Sequence, residues 1–125
     1  MKLTNIEMSN CLSNLKSISG KVTGRLAYAV SRNMRKLSNE VLEFETIKNN
    51  LIDQYGEKNE DGVTAIKTGT DSYKKFIEDI SEYSDIAHEV DIYTIPSDVL
   101  YDSVLNADEM LYLDFMIHEN SSLKI

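Results

Sequence analysis

Tryptophan is absent from these 125 residues, there is one cysteine and one proline, and no long uncharged apolar run occurs. Each absence excludes something. A spanning helix needs about 18 or more consecutive apolar residues, so none is expected here. The opening MKLTNIEMSN has neither a long apolar core nor a small-residue cleavage site, which argues against a signal peptide and for the cytoplasm. A single cysteine forms no internal disulfide, which fits a reducing compartment. Cys11 falls on an apolar helical face, the place of a small buried hydrophobe; a nucleophile would need a basic, partly exposed neighbourhood and a histidine close by.

Catalytic motifs are missing too. Gly20-Lys21 suggests a phosphate loop, but Leu15 stands where the first glycine belongs and Val22 where the hydroxyl belongs. His88 with Glu89 and Asp91, and His118 with Glu119, lack the ligand spacing of a zinc site, so no metal and no cofactor are expected. No serine, histidine and acid order points to a triad. An enzyme is not the reading these residues favour.

What is present is one dominant pattern. From Val22 to Tyr55 apolar side chains recur at Leu26, Val30, Met34, Leu37, Val41, Phe44, Ile47, Leu51 and Tyr55, in helical steps of three or four that keep one stripe on a core. Before it, Thr4 and Glu7 make a capping box, Leu3 and Met8 stand in staple positions, and Met8, Cys11, Leu12, Leu15 and Ile18 continue a first helix from about Asn5 to Ser17. The short link through Gly20 folds the second helix back on the first. Gly56 ends the second helix, and Asp61-Gly62 marks a turn. Val63 to Thr68 reads as a short edge strand. A third helix, capped by Thr70, Asp71 or Ser72, has Tyr73, Phe76, Ile77, Ile80, Tyr83 and Ile86 as its inner face.

Alternation from Glu89 to Ile95 predicts a strand stopped by Pro96. Ser97 and Asp98 then start a short helix through Leu105, and Asn106 with Glu109 caps an apolar run, Met110 to Ile117; a frayed tail follows from Asn120. The expected fold is one α+β domain: a long antiparallel helical hairpin, a third helix and a small two- or three-stranded sheet. A helix of about 34 residues, roughly 50 Å long, is hard for so short a chain to cover alone, which predicts a homodimer.

Charge is divided along the chain. Residues 1–38 hold seven bases and one acid, net +6, whereas residues 39–125 hold six bases and twenty acids, net −14. Two candidate surfaces follow. Lys21, Arg25, Tyr28, Arg32 and Arg35, with Lys36, form a basic helical ridge suited to phosphates and stacked bases, or a solvated face paired with the chain's own acids. Glu78, Asp79, Glu82 and Asp85 on the third helix, with Glu40, Glu43, Glu45 and Asp53 on the second and Asp98, Asp102, Asp108, Glu109 and Asp114 near the end of the chain, form an acidic field that could meet a basic groove, or simply aid solubility.

MKLTNIEM, KVTGRLAYAVSRNMRKLSNEVLEFETIKNNLIDQYGE, EVDIYTI and the closing LDFMIHE together give an order of elements that resembles a family of small proteins of unknown function encoded by tailed phages and prophages. The likeness covers nearly the whole chain and rests on the helical pattern, the YGE ending and the final apolar segment. It implies a phage origin and action inside an infected cell, and it carries over no catalytic residue. The resulting expectation is a non-enzymatic inhibitor of a host antiviral machine, for example a nucleic-acid-guided, anti-CRISPR-like target, meeting a host protein complex through the acidic surface. The alternatives are a binder of nucleic acid or a nucleotide signal through the basic ridge, or a phage assembly or replication accessory factor.

Overall fold

The computed structural model describes residues 1–119; the expected tail from Asn120 lies outside them. The fold is α+β and is built on the long helix. A short strand β1 (Lys2–Thr4) leads into helix α1 (Asn5–Ile18). The capping box is present: the Glu7 N–H donates to Thr4 Oγ1 at 3.2 Å, and the Thr4 N–H donates to Glu7 Oε1 at 2.9 Å. A 3-10 turn (Ser19–Lys21) reverses the chain into α2 (Gly24–Tyr55). Ser9, early in α1, donates to Glu45 Oε1, late in α2, at 2.8 Å, as an antiparallel hairpin requires. Glu45 therefore faces α1, not the solvent expected of it.

Gly56 ends α2 for a reason other than left-handed backbone. Its φ is −89°, but an added Cβ would lie 2.5 Å from the Ile52 carbonyl oxygen and 2.8 Å from Thr64 Cγ2. Only a glycine admits that approach, which lets β2 (Glu57–Lys58) pair antiparallel with β3 (Thr64–Ala65). Gly62, at φ +78°, takes the left-handed conformation expected at this turn. Helix α3 (Asp71–Ser84) is capped by Thr70, whose Oγ1 accepts from the Tyr73 N–H at 3.2 Å. It lies along the second half of α2. Its inner face is narrower than the pattern implies: Ile80 is buried, Tyr73, Phe76 and Tyr83 are half-buried, and Ile77 and Ile86 are exposed. One neighbouring helix covers a thinner stripe than a two-sided core would.

The expected strand over Glu89 to Ile95 forms only at its ends. β4 (Ala87–Glu89) pairs antiparallel with β1, and β5 (Ile95–Pro96) pairs in parallel with β6 (Ile117–His118). Between them the chain bonds to a side chain, not a strand. Asn33 of α2 accepts from the Tyr93 N–H through Oδ1 at 2.8 Å and donates through Nδ2 to the Tyr93 carbonyl at 2.8 Å, a stand-in for a ladder rung. The small sheet is thus three separate pairs among the described residues, counting β2 with β3.

The last third is also less helical than its apolar run suggests. Ser97–Leu100 is a 3-10 turn with no side-chain cap, and α4 (Ala107–Leu111) is followed by another such turn at Asp114–Met116. Leu113 and Met116, both fully buried, are three residues apart, the repeat of a 3-10 turn. The Asn106 and Glu109 capping box does form. The core gathers Met8, Leu15 and Ile18 of α1, Ala29, Val30, Leu37 and Val41 of α2, and Val90, Ile95, Leu105, Leu113 and Met116 from the C-terminal segment. The stripe of α2 is buried at Leu26, Val30, Leu37, Val41 and Phe44 and half-buried at Met34, Ile47, Leu51 and Tyr55.

Candidate functional site

The basic ridge starts one element earlier than its spacing suggests, because Lys21 lies in the 3-10 turn and not on α2. Lys21 Nζ reaches Glu109 Oε2 at 2.7 Å, and Lys36 Nζ donates to the Asp91 carbonyl at 2.6 Å with the Asp91 carboxylate 3.7 Å away. The Lys21 ammonium, followed by the Asn106 N–H, holds the Glu109 carboxyl below the usual carboxylate range. Two of the six ridge residues are thereby committed inside the fold. Arg25, Arg32 and Arg35 are exposed and make no ion pair among the described residues.

Arg32 is held by side-chain contacts. Its guanidinium donates to the Tyr28 hydroxyl at 3.1 Å and lies 5.6 Å from the centre of the Tyr28 ring and 5.1 Å from that of Tyr93. The two rings meet edge to face at 5.7 Å. A cation held against two aromatic faces is oriented without an acid to cancel it. Asn33 fixes the Tyr93 backbone, so the same amide that breaks the strand also places the second ring. Tyr93 was not separable from an ordinary strand residue by sequence; no local signal links positions 28, 32 and 93.

The acidic surface keeps most of its expected members. Glu78 and Glu82 of α3 and Asp85, which lies just past its end and not on the helix as expected, are exposed, as are Glu40, Glu43 and Asp53 of α2, and none forms an ion pair among the described residues. Asp79 departs from the expectation. It turns toward α2 and accepts from the Tyr55 hydroxyl at 2.6 Å, a bond that raises the phenol above the ordinary tyrosine range. The two side-chain ion pairs of the described residues, Lys21 with Glu109 and Lys36 with Asp91, involve none of these carboxylates.

A cavity of about 430 Å³ opens where α2 begins, between its first turn and the 97–104 segment. Arg25, Asp98 and Asp102 line it together with the apolar Val22, Leu26 and Val99. Asp98, expected to start a helix with Ser97, caps none: it lies in the 3-10 turn, where its Oδ1 is buried and makes no hydrogen bond.

Cys11 is half-buried, and burial, then the Glu7 carboxylate, pushes its thiol up, which suits packing better than nucleophilic attack. His88 is half-buried beside the β1 register, and His118 Nδ1 lies 3.2 Å from the Glu119 carbonyl. No group of three metal-ligating side chains occurs among the described residues, and no helix there is long and apolar enough to cross a membrane. No family model, no curated protein and no solved structure matches the chain.

Proposed function

We propose that this chain is a non-enzymatic, phage-encoded interaction protein that blocks a nucleic-acid-guided host defence complex by laying an acidic helix pair in a basic groove. One observation carries the reading: Glu78 and Glu82 of α3 and Asp85 just past its end, beside Glu40, Glu43 and Asp53 of α2, are exposed and form no ion pair among the described residues. A helix pair carrying exposed carboxylates resembles a phosphate backbone in charge, and opposed fields of this kind steer encounter and exclude wrong partners. Asp79 is not part of this face, since it serves Tyr55.

The test is a pull-down from nuclease-treated host lysate with the full chain and with a Glu78→Lys, Glu82→Lys, Asp85→Lys variant. A defence complex recovered by the first and lost by the second, with association slowed about 10-fold or more at low salt, is the expected result. Equal recovery by both would remove the acidic face from the function.

A second reading rests on Arg32 held between Tyr28 and Tyr93, with Arg25 and Arg35 on the same exposed ridge. An oriented guanidinium beside two rings suits a phosphate and a stacked base. Fluorescence anisotropy with a labelled oligonucleotide at low salt decides it: binding that weakens with salt and is lost in Arg32→Ala supports the ridge, and a flat titration eliminates it.

A further inference from the structure

The outward face of α2 runs unbroken along the helix. Starting at Arg25 and stepping by three and four residues in turn, every position as far as Asp53 is exposed. A stripe of that period drifts by only about 20° in seven residues, so it stays on one side of the rod. α3 does not cover it. The Asp79 bond joins α3 to α2 at Tyr55, two residues and about 200° of turn from Asp53, which puts α3 behind the stripe.

The charges on this face are sorted by sign. Arg25, Arg32 and Arg35 occupy its first half, and Asp53, with Glu43 beside Leu42, its second. None of them forms an ion pair among the described residues. Their spacing is symmetric about Asn39, itself exposed. Arg25 and Asp53 stand fourteen residues from it on opposite sides, about 21 Å of helix, and Arg35 and Glu43 stand four residues from it, about 6 Å. Near the centre Leu42 is 64% exposed, an apolar side chain that the fold leaves in water.

We infer that this face is the interface for a second copy of the chain, laid antiparallel on the first with a two-fold axis at Asn39. An isologous contact must complement itself, each residue meeting one equally far from the axis on the other side. Under that operation Arg25 of one copy meets Asp53 of the other and Arg35 meets Glu43, and each contact occurs twice. The two Leu42 side chains flank the axis, and the two helix dipoles run in opposite directions. A parallel pair would set Arg25 against Arg25 and Arg35 against Arg35, a like-charge arrangement that is disfavoured. The contact draws on Glu43 and Asp53 and on none of the α3 carboxylates, so its failure and that of the proposed function are distinguishable.

Charge exchange tests it by analytical ultracentrifugation of the full chain. At about 100 μM the chain is expected to sediment toward twice its 14.2 kDa, whereas Arg25→Asp with Arg35→Glu, and separately Glu43→Arg with Asp53→Arg, should each self-associate about 10-fold more weakly or worse. Mixed in equal amounts, the two variants regain every opposite-charge contact and should pair with each other, which a folding defect in either would prevent. Glu78→Lys with Glu82→Lys and Asp85→Lys should associate no less than the parent. In a Cys11→Ser background, Asn39→Cys should form a disulfide between copies on oxidation. Thr46→Cys should not, because its two sulfurs would stand seven residues to either side of the axis, about 21 Å apart. A chain that stays at 14.2 kDa leaves the stripe to another occupant and overturns the pairing. So would exchange variants that associate unchanged alone, a mixture that stays monomeric although melts show both variants folded, or a disulfide that forms as readily at Thr46→Cys as at Asn39→Cys.

Discussion

The two halves of α2 carry the same apolar period and meet different fates. From Leu26 to Val41 the stripe is sealed apart from the half-buried Met34: Ala29 and Leu37 have no exposed surface, and Val30 and Val41 have almost none. Beyond Phe44 the same spacing yields only half-buried side chains, Ile47, Leu51 and Tyr55. The difference lies in how many elements arrive. α1 and the C-terminal segment share one buried core with Leu26, Ala29, Val30, Leu37 and Val41, whereas at the far end α3 meets α2 through the Asp79 and Tyr55 bond. Both side-chain ion pairs of the described residues lie on the first half, while carboxylates without an ion pair occur at both ends, Asp98 and Asp102 beside the start of α2 and Glu78 and Glu82 on α3. One end of the rod is where the fold is held, and the other is where surface is left for a partner.

The sharpest way to break this contrast is to truncate one leucine in each half. Leu37→Ala should cost about 2–5 kcal/mol, the transfer loss plus a cavity that a sealed core does not close. Leu51→Ala removes surface already half in water and should cost only about 1–2 kcal/mol. Urea denaturation of both variants measures the gap, and equal losses would mean that the open end is as tightly packed as the other.

Next in size is the amide that replaces a strand rung. Asn33 has no exposed surface, and its loss strands both the N–H and the carbonyl of Tyr93. Asn33→Ala is therefore expected to cost about 1–3 kcal/mol and to speed hydrogen exchange at the Tyr93 amide. Asn5, the other buried asparagine, makes one side-chain bond, from Nδ2 to the Tyr83 carbonyl at 2.9 Å. Asn5→Ala should cost less, about 1 kcal/mol, and leave Tyr93 exchange unchanged.

These two asparagines mark the limit of what the sequence made legible. Periodicity located α1, α2 and α3, and local chemistry located three caps, because helical spacing and capping boxes are written within four residues of one another. The 89–95 segment alternates as a strand does, yet its partner is a side chain some 60 positions away. An asparagine inside an apolar stripe carries no mark that distinguishes a buried clamp from a solvated amide. The same holds for the candidate sites. Ridge and acidic face were readable as patterns, but which charges were spent at home, Lys21 on Glu109 and Asp79 on Tyr55, depends on contacts across 88 and 24 residues. The Asp98 cavity could not be read at all, since it joins a turn near the start of the chain to one near the end.

The smallest expected effects separate the two ends by pH. At the open end the Tyr55 hydroxyl donates to Asp79 and its phenol is raised, so the bond stabilises the fold below the ordinary tyrosine range and loses that contribution as pH rises through the raised value. At the sealed end Glu109 is depressed by Lys21, so that pair contributes above the ordinary glutamate range and loses its contribution as pH falls through the depressed value. Tyr55→Phe should therefore flatten the alkaline limb of a stability-against-pH curve and leave the acid limb alone, and Lys21→Met should do the reverse. Both changes will be slight, because each pair is partly open to water and a solvated ion pair contributes little. Thermal melts across pH at constant ionic strength read the two limbs independently. If one substitution altered both limbs alike, the ends of α2 would be coupled through the helix, and the division between a holding end and a presenting end would not stand.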